Sequence, residues 1–313
     1  MRGRAWNLLR AVVAVSLFAA ILYLGDMEKI LSELRSVRPG LYLSAAALFL
    51  LTYIPSGLRW QKLSGSLGYE MGLRESMKLM AMAYSFNKLL PGNAGDLTRS
   101  KIAERYTPVE KHAEILGVVA LERVLDLVTV LTIILVTATL IGARYLEFLA
   151  WLLVPAFAVV LLFVLTIRFR SELLLDYVSF IPGRVESFLM DVLNGYRAVG
   201  RDELLISAGY SGMKWGLEVL VFYLLAQSIG APAGLLLAGL VTSTMSLVAA
   251  APITPAGLGP VDAIATSLLA ISGMSVSMSV SLVLLQRSIG FVLMGALGTF
   301  VYFFENAYSR SSS

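Results

Sequence analysis

The chain has 313 residues, of which 58% are hydrophobic and only 15% are charged, and its mean hydropathy is +0.78. Soluble domains carry about 25% charged residues, so this composition excludes a water-soluble globular protein. The absence of cysteine excludes disulfides and thiolate chemistry, and the lone histidine, His112, has no histidine partner for a metal site. The net charge of +4 is small. Long apolar runs without strand alternation predict an all-α polytopic membrane protein.

The first part of the chain predicts two membrane-spanning helices. The first covers residues 8–24, and because no small-residue cleavage site follows it, a retained helix is favoured over a signal peptide. Residues 25–39 are predicted to form a short polar surface helix. The second span covers residues 41–58, and Arg59 and Trp60 follow it as a cation–aromatic set typical of a membrane interface.

Residues 73–112 predict a re-entrant hairpin. A span needs about 20 apolar residues, and each half of this segment is shorter and more polar than that. Interrupted backbone is tolerated at membrane depth only where protein or water covers it. The turn residues are predicted to be Pro91, Gly92, Gly95 and Asp96.

Polar side chains lie on both sides of this turn. Asp96 is expected mainly to cap the second half-helix, where free backbone amides need acceptors. Lys88 and Arg99 are expected either to hold an anion at the mouth of the hairpin or to extend their charged ends to the interface. Asn93 lies between them in the sequence.

Three full spans are predicted before the next interruption, over residues 109–141, 146–167 and 204–229. Residues 168–201 separate the last two and form a charged, amphipathic linker with surface helices. Within the last of these spans, Lys214 and Glu218 are four residues apart and are expected to pair with each other.

Residues 233–273 predict a second re-entrant hairpin, followed by a final span over residues 277–304. Its turn residues are predicted to be Pro255, Gly257, Gly259 and Asp262. The free amides at the start of its second helix attract anions, although Asp262 in that first turn can already satisfy them.

The two hairpins are related by a constant spacing of 164 residues. This spacing takes Pro91 to Pro255, Gly95 to Gly259 and Arg123 to Arg287. We therefore predict one structural unit used twice within a single membrane domain of residues 1–313. The first repeat covers about 41–141 and the second about 204–304.

The distribution of positive charge predicts the orientation. With the N-terminus in the cytoplasm, 18 of the 25 lysines and arginines lie inside and 4 lie outside, which is a clear positive-inside bias. Three full spans then separate the hairpins, so the hairpins enter from opposite faces of the plasma membrane. Interrupted helices at matching places in two inverted halves are typical of a transporter's binding site.

Arg123 and Arg287 are the most informative charges, because a charge at mid-membrane costs at least about 2.5–3.5 kcal/mol unless it has a partner or a cavity. Arg123 has Glu122 beside it and Asp126 one turn later, which favours an internal ion pair. Arg287 has no acid within one turn, so its partner is either Asp262 or a ligand. A guanidinium matches phosphate bidentately, which makes a phosphate head group a fitting ligand.

Four motifs, in order, resemble those of the lysylphosphatidylglycerol synthase transmembrane family, the flippase region of bacterial multiple peptide resistance factors. They are Pro-Gly-Asn-Ala-Gly-Asp-x-x-Arg at 91–99, Glu122-Arg123-x-x-Asp126, residues 252–262, and Arg287. The resemblance covers about residues 8–304. Asp262 stands where the family more often has glutamate, and the soluble aminoacyltransferase domain of some members is not expected here.

The resemblance implies a transporter that flips a lipid with an anionic or modified head group between leaflets. The head group is that of a phospholipid, an aminoacyl-phospholipid or a polyprenyl-phosphate-linked lipid. The residues expected to bind it are Lys88, Asn93, Arg99, Arg123 and Arg287. The candidates for proton coupling or internal ion pairs are Glu122, Asp126, Lys214 and Glu218.

No catalytic residue, metal, cofactor or nucleic-acid partner is expected. A separate lipid-modifying transferase is a candidate partner, and an oligomer is compatible with the sequence. Two alternatives stay open. One is an enzyme or enzyme subunit of lipid-linked glycan assembly, with Asp96 as its acid or base, and the other is a non-transporting partner of a transferase.

Overall fold

A computed structural model describes residues 25–89, 94–103, 112–169, 183–250 and 257–293, with isolated positions at 16, 19, 23, 254, 295 and 296. Every regular element in these ranges is a helix, which confirms the predicted all-α class. Within the described residues, four helices are long and apolar enough to cross a membrane, over Pro39–Gly65, Ala113–Ile141, Ala143–Leu161 and Val276–Leu293. The predicted first span, residues 8–24, lies almost entirely outside the described residues.

The helices follow one another with short connections. The first six are α1 (Met27–Arg35), α2 (Pro39–Leu51), α3 (Tyr53–Gly65), α4 (Leu73–Leu89), α5 (Ala94–Ala103) and α6 (His112–Ile141). The next six are α7 (Ala143–Phe169), α8 (Gly183–Arg197), α9 (Arg201–Ser228), α10 (Leu235–Ala250), α11 (Pro260–Ile271) and α12 (Val276–Ser288). A π turn over Ile289–Leu293 continues α12.

The second span does not end at residue 58, as the sequence suggested. A break at Thr52 separates α2 from α3, and Pro55 in the first turn of α3 has no N–H to donate back across that break. The chain nevertheless continues as helix to Gly65, and α2 and α3 together are long enough to cross. Arg59 is therefore in the middle of a helix, where its side chain can turn towards the bundle.

Both predicted interruptions lie between paired short helices, α4 with α5 and α10 with α11. The predicted turn residues Pro91, Gly92 and Pro255 lie outside the described residues, as does Asn93. Gly95 allows α5 to approach α4 closely, because a Cβ on it would lie 1.9 Å from the carbonyl oxygen of Ala83. Gly257 and Gly259 have φ angles of 66° and 87°, in the region that glycine favours.

Helix α9 is the central element of the bundle. It packs against α2, α3, α6, α10 and α12, and so touches both halves of the chain. With 28 residues it is long enough to span, but it is less apolar than the four helices above because it carries Lys214 and Glu218. The six-span layout therefore stays a prediction.

Helix α8, in the predicted surface linker, packs tightly on α6. A Cβ on Gly195 would lie 1.8 Å from the carbonyl oxygen of Glu114, and one on Gly117 would lie 2.0 Å from that of Val192. Two glycines thus bring the helix backbones into contact, which anchors this part of the linker to the bundle.

Candidate functional site

A group of charged side chains, all buried except the partly exposed Arg123, joins α3, α5, α6 and α9 inside the bundle. Its members, called the ion-pair cluster below, are Arg59, Asp96, Arg99, Glu122, Arg123, Asp126 and Lys214. Four cations face three carboxylates, which gives the cluster one excess positive charge. An unpaired ion in a low-dielectric interior is strongly unfavourable, so pairing is what permits these side chains inside the bundle.

Arg59 lies at the centre of the cluster and is 0% exposed. Its Nη1 and Nη2 donate to the two carboxylate oxygens of Asp126 at 2.6 and 3.2 Å. Nη2 also donates to Glu122 Oε1 at 2.5 Å, and Nη1 to Ser211 Oγ at 2.6 Å. This one side chain ties α3 to α6 and α9. The interfacial position expected for Arg59 and Trp60 is wrong, because protein covers both completely.

Arg99 is also covered by protein. Its Nη1 lies 2.7 Å from Glu122 Oε2 and its Nη2 lies 3.5 Å from Asp96 Oδ1. Its guanidinium carbon stands 4.1 Å from the centre of the Trp60 ring, within cation–π range. The charge of Arg99 is thus balanced inside the bundle, and the structure does not place it at an open hairpin mouth.

Asp96 holds Arg123 in a two-point ion pair. Arg123 Nε donates to Asp96 Oδ2 at 3.0 Å, and Nη2 donates to Oδ1 at 2.7 Å. Asn87 Nδ2 donates to Asp96 Oδ1 at 3.3 Å. Asp96 is the third residue of α5 and does not precede the helix, as a capping residue would. Its main contact is therefore the ion pair with Arg123 and not the expected capping contact with the backbone amides. The partner of Arg123 is therefore Asp96 and not its sequence neighbours, and 43% of the Arg123 side chain stays exposed.

The second hairpin contains a pair of the same construction. Arg287 Nε donates to Asp262 Oδ1, and Nη2 donates to Asp262 Oδ2 at 2.8 Å and to the carbonyl oxygen of Gly257 at 3.2 Å. Asp262 Oδ2 also accepts from the backbone N–H of Gly259 at 2.8 Å, which satisfies the helix start as the sequence suggested. Of the two partners left open for Arg287, the structure supplies Asp262.

The two pairs occupy matching positions. Asp96 is the third residue of α5 and Asp262 is the third residue of α11, each in the helix that follows the interruption. Each carboxylate binds an arginine on the next long helix, Arg123 on α6 or Arg287 on α12. The 164-residue spacing seen in the sequence therefore relates two arginines with equivalent partners.

Lys214 and Trp215 extend the ion-pair cluster along α9. Lys214 Nζ lies 3.7 Å from Asp126 Oδ1 and 3.9 Å from the centre of the Trp215 ring. The indole Nε1 of Trp215 donates to Asp126 Oδ1 at 2.8 Å. Asp126 is thus held by groups from α3 and α9.

A cavity of about 170 Å³, called the inner cavity below, has Trp215 in its wall. Trp215 and Glu218 of α9, Thr242 of α10 and Arg287 of α12 are among its lining residues. The π turn that follows Arg287 contributes Phe291 to the wall, and such turns are frequent at functional sites. Trp215 therefore connects the ion-pair cluster with the Arg287 site.

A larger cleft of about 670 Å³, called the outer cleft below, opens at the other end of α9. Lys62, Glu70, Glu203 and Tyr210 are among the residues that line it. Tyr210 directly precedes Ser211, the residue that binds Arg59. Along α9 the outer cleft, the ion-pair cluster and the inner cavity therefore follow one another, from Glu203 to Glu218, over about 22 Å at 1.5 Å per residue.

Some predicted site residues cannot be placed. Asn93 and three turn residues, Pro91, Gly92 and Pro255, lie outside the described part of the chain, as does the side chain of Lys88. Arg59 was missed by the sequence reasoning. One signal could have revealed it: Glu122 and Asp126 are two acids on an apolar helix, and Arg123 alone cannot neutralise both.

The fold and the buried charges define an all-helical, multi-pass membrane protein. The sequence model of one protein family, the lysylphosphatidylglycerol synthase TM region, matches residues 7–298 of the chain, so the chain belongs to that family. This confirms the resemblance seen in the sequence motifs.

Two relatives are archaeal membrane proteins. A UPF0104 membrane protein of Methanothermobacter thermautotrophicus is 25% identical over 317 aligned residues, which cover 93% of each chain. The UPF0104 membrane protein MJ1078 of Methanocaldococcus jannaschii is 27% identical over 221 residues, covering 67% of this chain and 91% of that protein.

Proposed function

We propose that this protein moves a lipid with an anionic or modified head group between the two leaflets of the membrane. The observation that carries the proposal is the duplicated ion pair, Asp96 with Arg123 and Asp262 with Arg287. Each pair joins an interrupted hairpin to a long helix, and transporters place their binding sites at interrupted helices in matching halves. The head group is that of a phospholipid, an aminoacyl-phospholipid or a polyprenyl-phosphate-linked lipid.

The arrangement along α9 supports a route for the head group. The ion-pair cluster separates the outer cleft from the inner cavity, so a head group can pass only when pairs in the cluster exchange partners. Arg123 and Arg287 are the guanidinium groups best suited to a phosphate, since their side chains are 43% and 11% exposed, whereas those of Arg59 and Arg99 are 1% and 0% exposed. The acyl chains would stay in the lipid, beside the bundle.

The orientation is part of this proposal. The N-terminus lies in the cytoplasm of a cell whose plasma membrane holds the protein, and the two hairpins enter from opposite faces as an inverted repeat. In this orientation the end of α3 and the start of α9 lie on the cytoplasmic side of the membrane. The outer cleft lies beside these two helix ends, so it opens to the cytoplasm. Such an inverted pair of hairpins gives a single site that opens to each leaflet in turn.

A reconstitution experiment tests the proposal. Purified protein is placed in liposomes containing a fluorescent phospholipid, and a membrane-impermeant reductant bleaches the outer leaflet. Flipping by the protein bleaches nearly all the label, whereas protein-free liposomes lose about half. Bleaching that stops at half in liposomes shown to contain folded protein would overturn the proposal. It would leave an enzyme of lipid-linked glycan assembly or a non-transporting partner to be tested.

The role of Arg287 needs a variant that still folds. Arg287→Ala would leave Asp262 buried without a partner, so the double variant Asp262→Asn with Arg287→Gln is preferable because both charges are removed together. We expect its flipping rate to fall at least about tenfold, the effect of losing roughly 1.4 kcal/mol of phosphate binding. Arg35→Gln, an exposed change on α1, is the matched control and should flip at the wild-type rate. Equal rates in both variants would contradict the role of Arg287.

A further inference from the structure

The second helices of the two hairpins, α5 and α11, are held in different ways although their ion pairs match. Helix α5 packs on α4 and α6, and α11 packs on α10 and α12. The buried apolar side chains of α11 are Val261, Ile264, Ala265, Leu268 and Leu269. The described buried side chains of α5 are mainly polar, namely Asp96, Arg99 and Ser100. Close apolar packing therefore holds α11, whereas charges and hydrogen bonds hold α5.

The ion-pair cluster is an alternating chain of charges. Its order is Arg123, Asp96, Arg99, Glu122, Arg59, Asp126 and Lys214, and each member lies within 3.7 Å of the next. A cation stands at each end, which accounts for the one excess positive charge. The side chain of Arg123 is 43% exposed, whereas each of the other six is at most 10% exposed. Water can therefore stabilise the excess charge on Arg123.

Charge balance allows α5 to separate from α6. Helix α5 carries both Asp96 and Arg99, one turn and 3.5 Å apart, so its own buried charges cancel. The remaining buried members, on α3, α6 and α9, are two carboxylates and two cations, which also cancel. Breaking the contacts of Asp96 with Arg123 and of Arg99 with Glu122 thus leaves two neutral groups and one partly exposed arginine. No buried charge loses every partner, which is the costly case.

The second hairpin does not allow the same separation. Helix α11 contributes Asp262, and within the described residues Arg287 is the only cation paired with it. The Asp262 side chain is 1% exposed, and it also accepts from the backbone N–H of Gly259 at 2.8 Å. Separating α11 from α12 would leave this carboxylate unpaired in the protein interior, at a large cost in free energy.

We propose that the first hairpin is the moving half of the bundle and the second hairpin is its fixed half. In the open state α5 parts from α6, Asp96 and Arg99 pair with each other, and Arg123 is released. Helix α5 stays attached to α4, where the Gly95 N–H donates to Asn87 Oδ1 at 2.8 Å. Helix α11 stays on α12 in both states. The assignment goes beyond the proposed function, because it concerns the movement of helices and not the molecule carried.

Alkylation of single cysteines in the detergent-purified protein tests this assignment. Ser100→Cys reports on α5 and Thr266→Cys on α11, and because the native side chains are 5% and 8% exposed, static exposure favours reaction at the second. Ser56→Cys, at a 0% exposed position of α3, reports global unfolding. We expect N-ethylmaleimide to modify Ser100→Cys at least about tenfold faster than the other two, because local opening requires less free energy than global unfolding.

Neutralising the ion pairs distinguishes the two halves. Arg123→Gln removes a contact between α5 and α6, so Ser100→Cys should react at least about tenfold faster than with Arg123 present. An ion-pair coupling of about 1.4 kcal/mol shifts the opening equilibrium by that factor. The matched change, Asp262→Asn with Arg287→Gln, should leave the rate at Thr266→Cys within about twofold, because apolar packing still holds α11.

Each outcome decides the assignment. Equal rates at positions 100, 266 and 56 would mean that only global unfolding exposes them, and would overturn it. An equal acceleration at positions 100 and 266 on neutralising their pairs would overturn it as well. The liposome assay separates this failure from that of the proposed function. Opening of α5 in a protein that does not flip lipid removes only the transport function, whereas flipping without opening of α5 removes only the moving hairpin.

Discussion

Asp96 and Arg123 are 27 residues apart in the chain and form a two-point ion pair, with Arg123 Nη2 2.7 Å from Asp96 Oδ1 and Nε 3.0 Å from Oδ2. Asp262 and Arg287, 25 residues apart, repeat it in the second half of the chain. In both, the acid is the third residue of the helix that follows the interruption. The pair thus fixes the second helix of each hairpin to the next long helix.

A double-mutant cycle should detect this pairing as an energetic coupling. We expect Asp96→Asn and Arg123→Gln to show a coupling free energy of about 1–3 kcal/mol, because the two side chains share one ion pair. The measurement is the free energy of unfolding in mixed micelles for both single variants and the double variant. The cross-pair Asp262→Asn with Arg123→Gln is the control and should be additive within about 0.5 kcal/mol. Additivity in the first cycle would show that the pair contributes nothing.

Arg59 should be indispensable for folding. Arg59→Met leaves Asp126 and Glu122 with fewer cations in a dry interior, and breaking a buried pair in this way costs about 3–5 kcal/mol. We expect a large drop in the midpoint of thermal unfolding in detergent. Lys62→Met is the control, since Lys62 lies one turn further along α3 and is exposed. Similar midpoints for the two variants would contradict the central role given to Arg59.

The contact between α8 and α6 should be sensitive to a single methyl group. Gly195→Ala places a Cβ 1.8 Å from the carbonyl oxygen of Glu114, so the helices must separate, at a cost of about 1–3 kcal/mol in the free energy of unfolding. Gly216→Ala, within α9, meets nothing within 4 Å and should stabilise the protein by about 0.5–1 kcal/mol. Opposite signs are expected in one unfolding assay, and a neutral Gly195→Ala would exclude the close contact.

The orientation of the hairpins can be measured by cysteine labelling, because the chain contains no cysteine. Gly234→Cys and Ser272→Cys flank the second hairpin, and both should react with an impermeant maleimide added outside intact cells. Gly72→Cys, before the first hairpin, should react only after the cells are opened. Ser36→Cys and Asp202→Cys calibrate the outer and inner faces. Labelling of positions 234 and 272 from opposite sides would mean that α10 and α11 cross the membrane together.

Much of the architecture was predictable because its signals are local in the sequence. Hydropathy predicted α6, α7 and α12, and the Pro/Gly clusters predicted the interruptions between α4 and α5 and between α10 and α11. The end of the second span was misplaced, because Pro55 and Arg59 are typical of a helix end in lipid, whereas α3 continues as a helix packed against α4 and α9. Arg123 was assigned to its neighbours Glu122 and Asp126, although these acids bind cations from other helices.

The sequence by itself determined an all-helical membrane protein with two interrupted hairpins and an arginine 28 residues beyond a glycine of each, Gly95 and Gly259. Only the tertiary structure decided which carboxylate each arginine binds. Arg59 meets Asp126 across 67 residues and Ser211 across 152, and such contacts depend on how the helices pack. The physical reason is that a segment's helical backbone hydrogen bonds and its preference for lipid depend on its own residues, so they can be read from the local sequence. A buried charge is instead stabilised by whichever opposite charge the fold brings within reach.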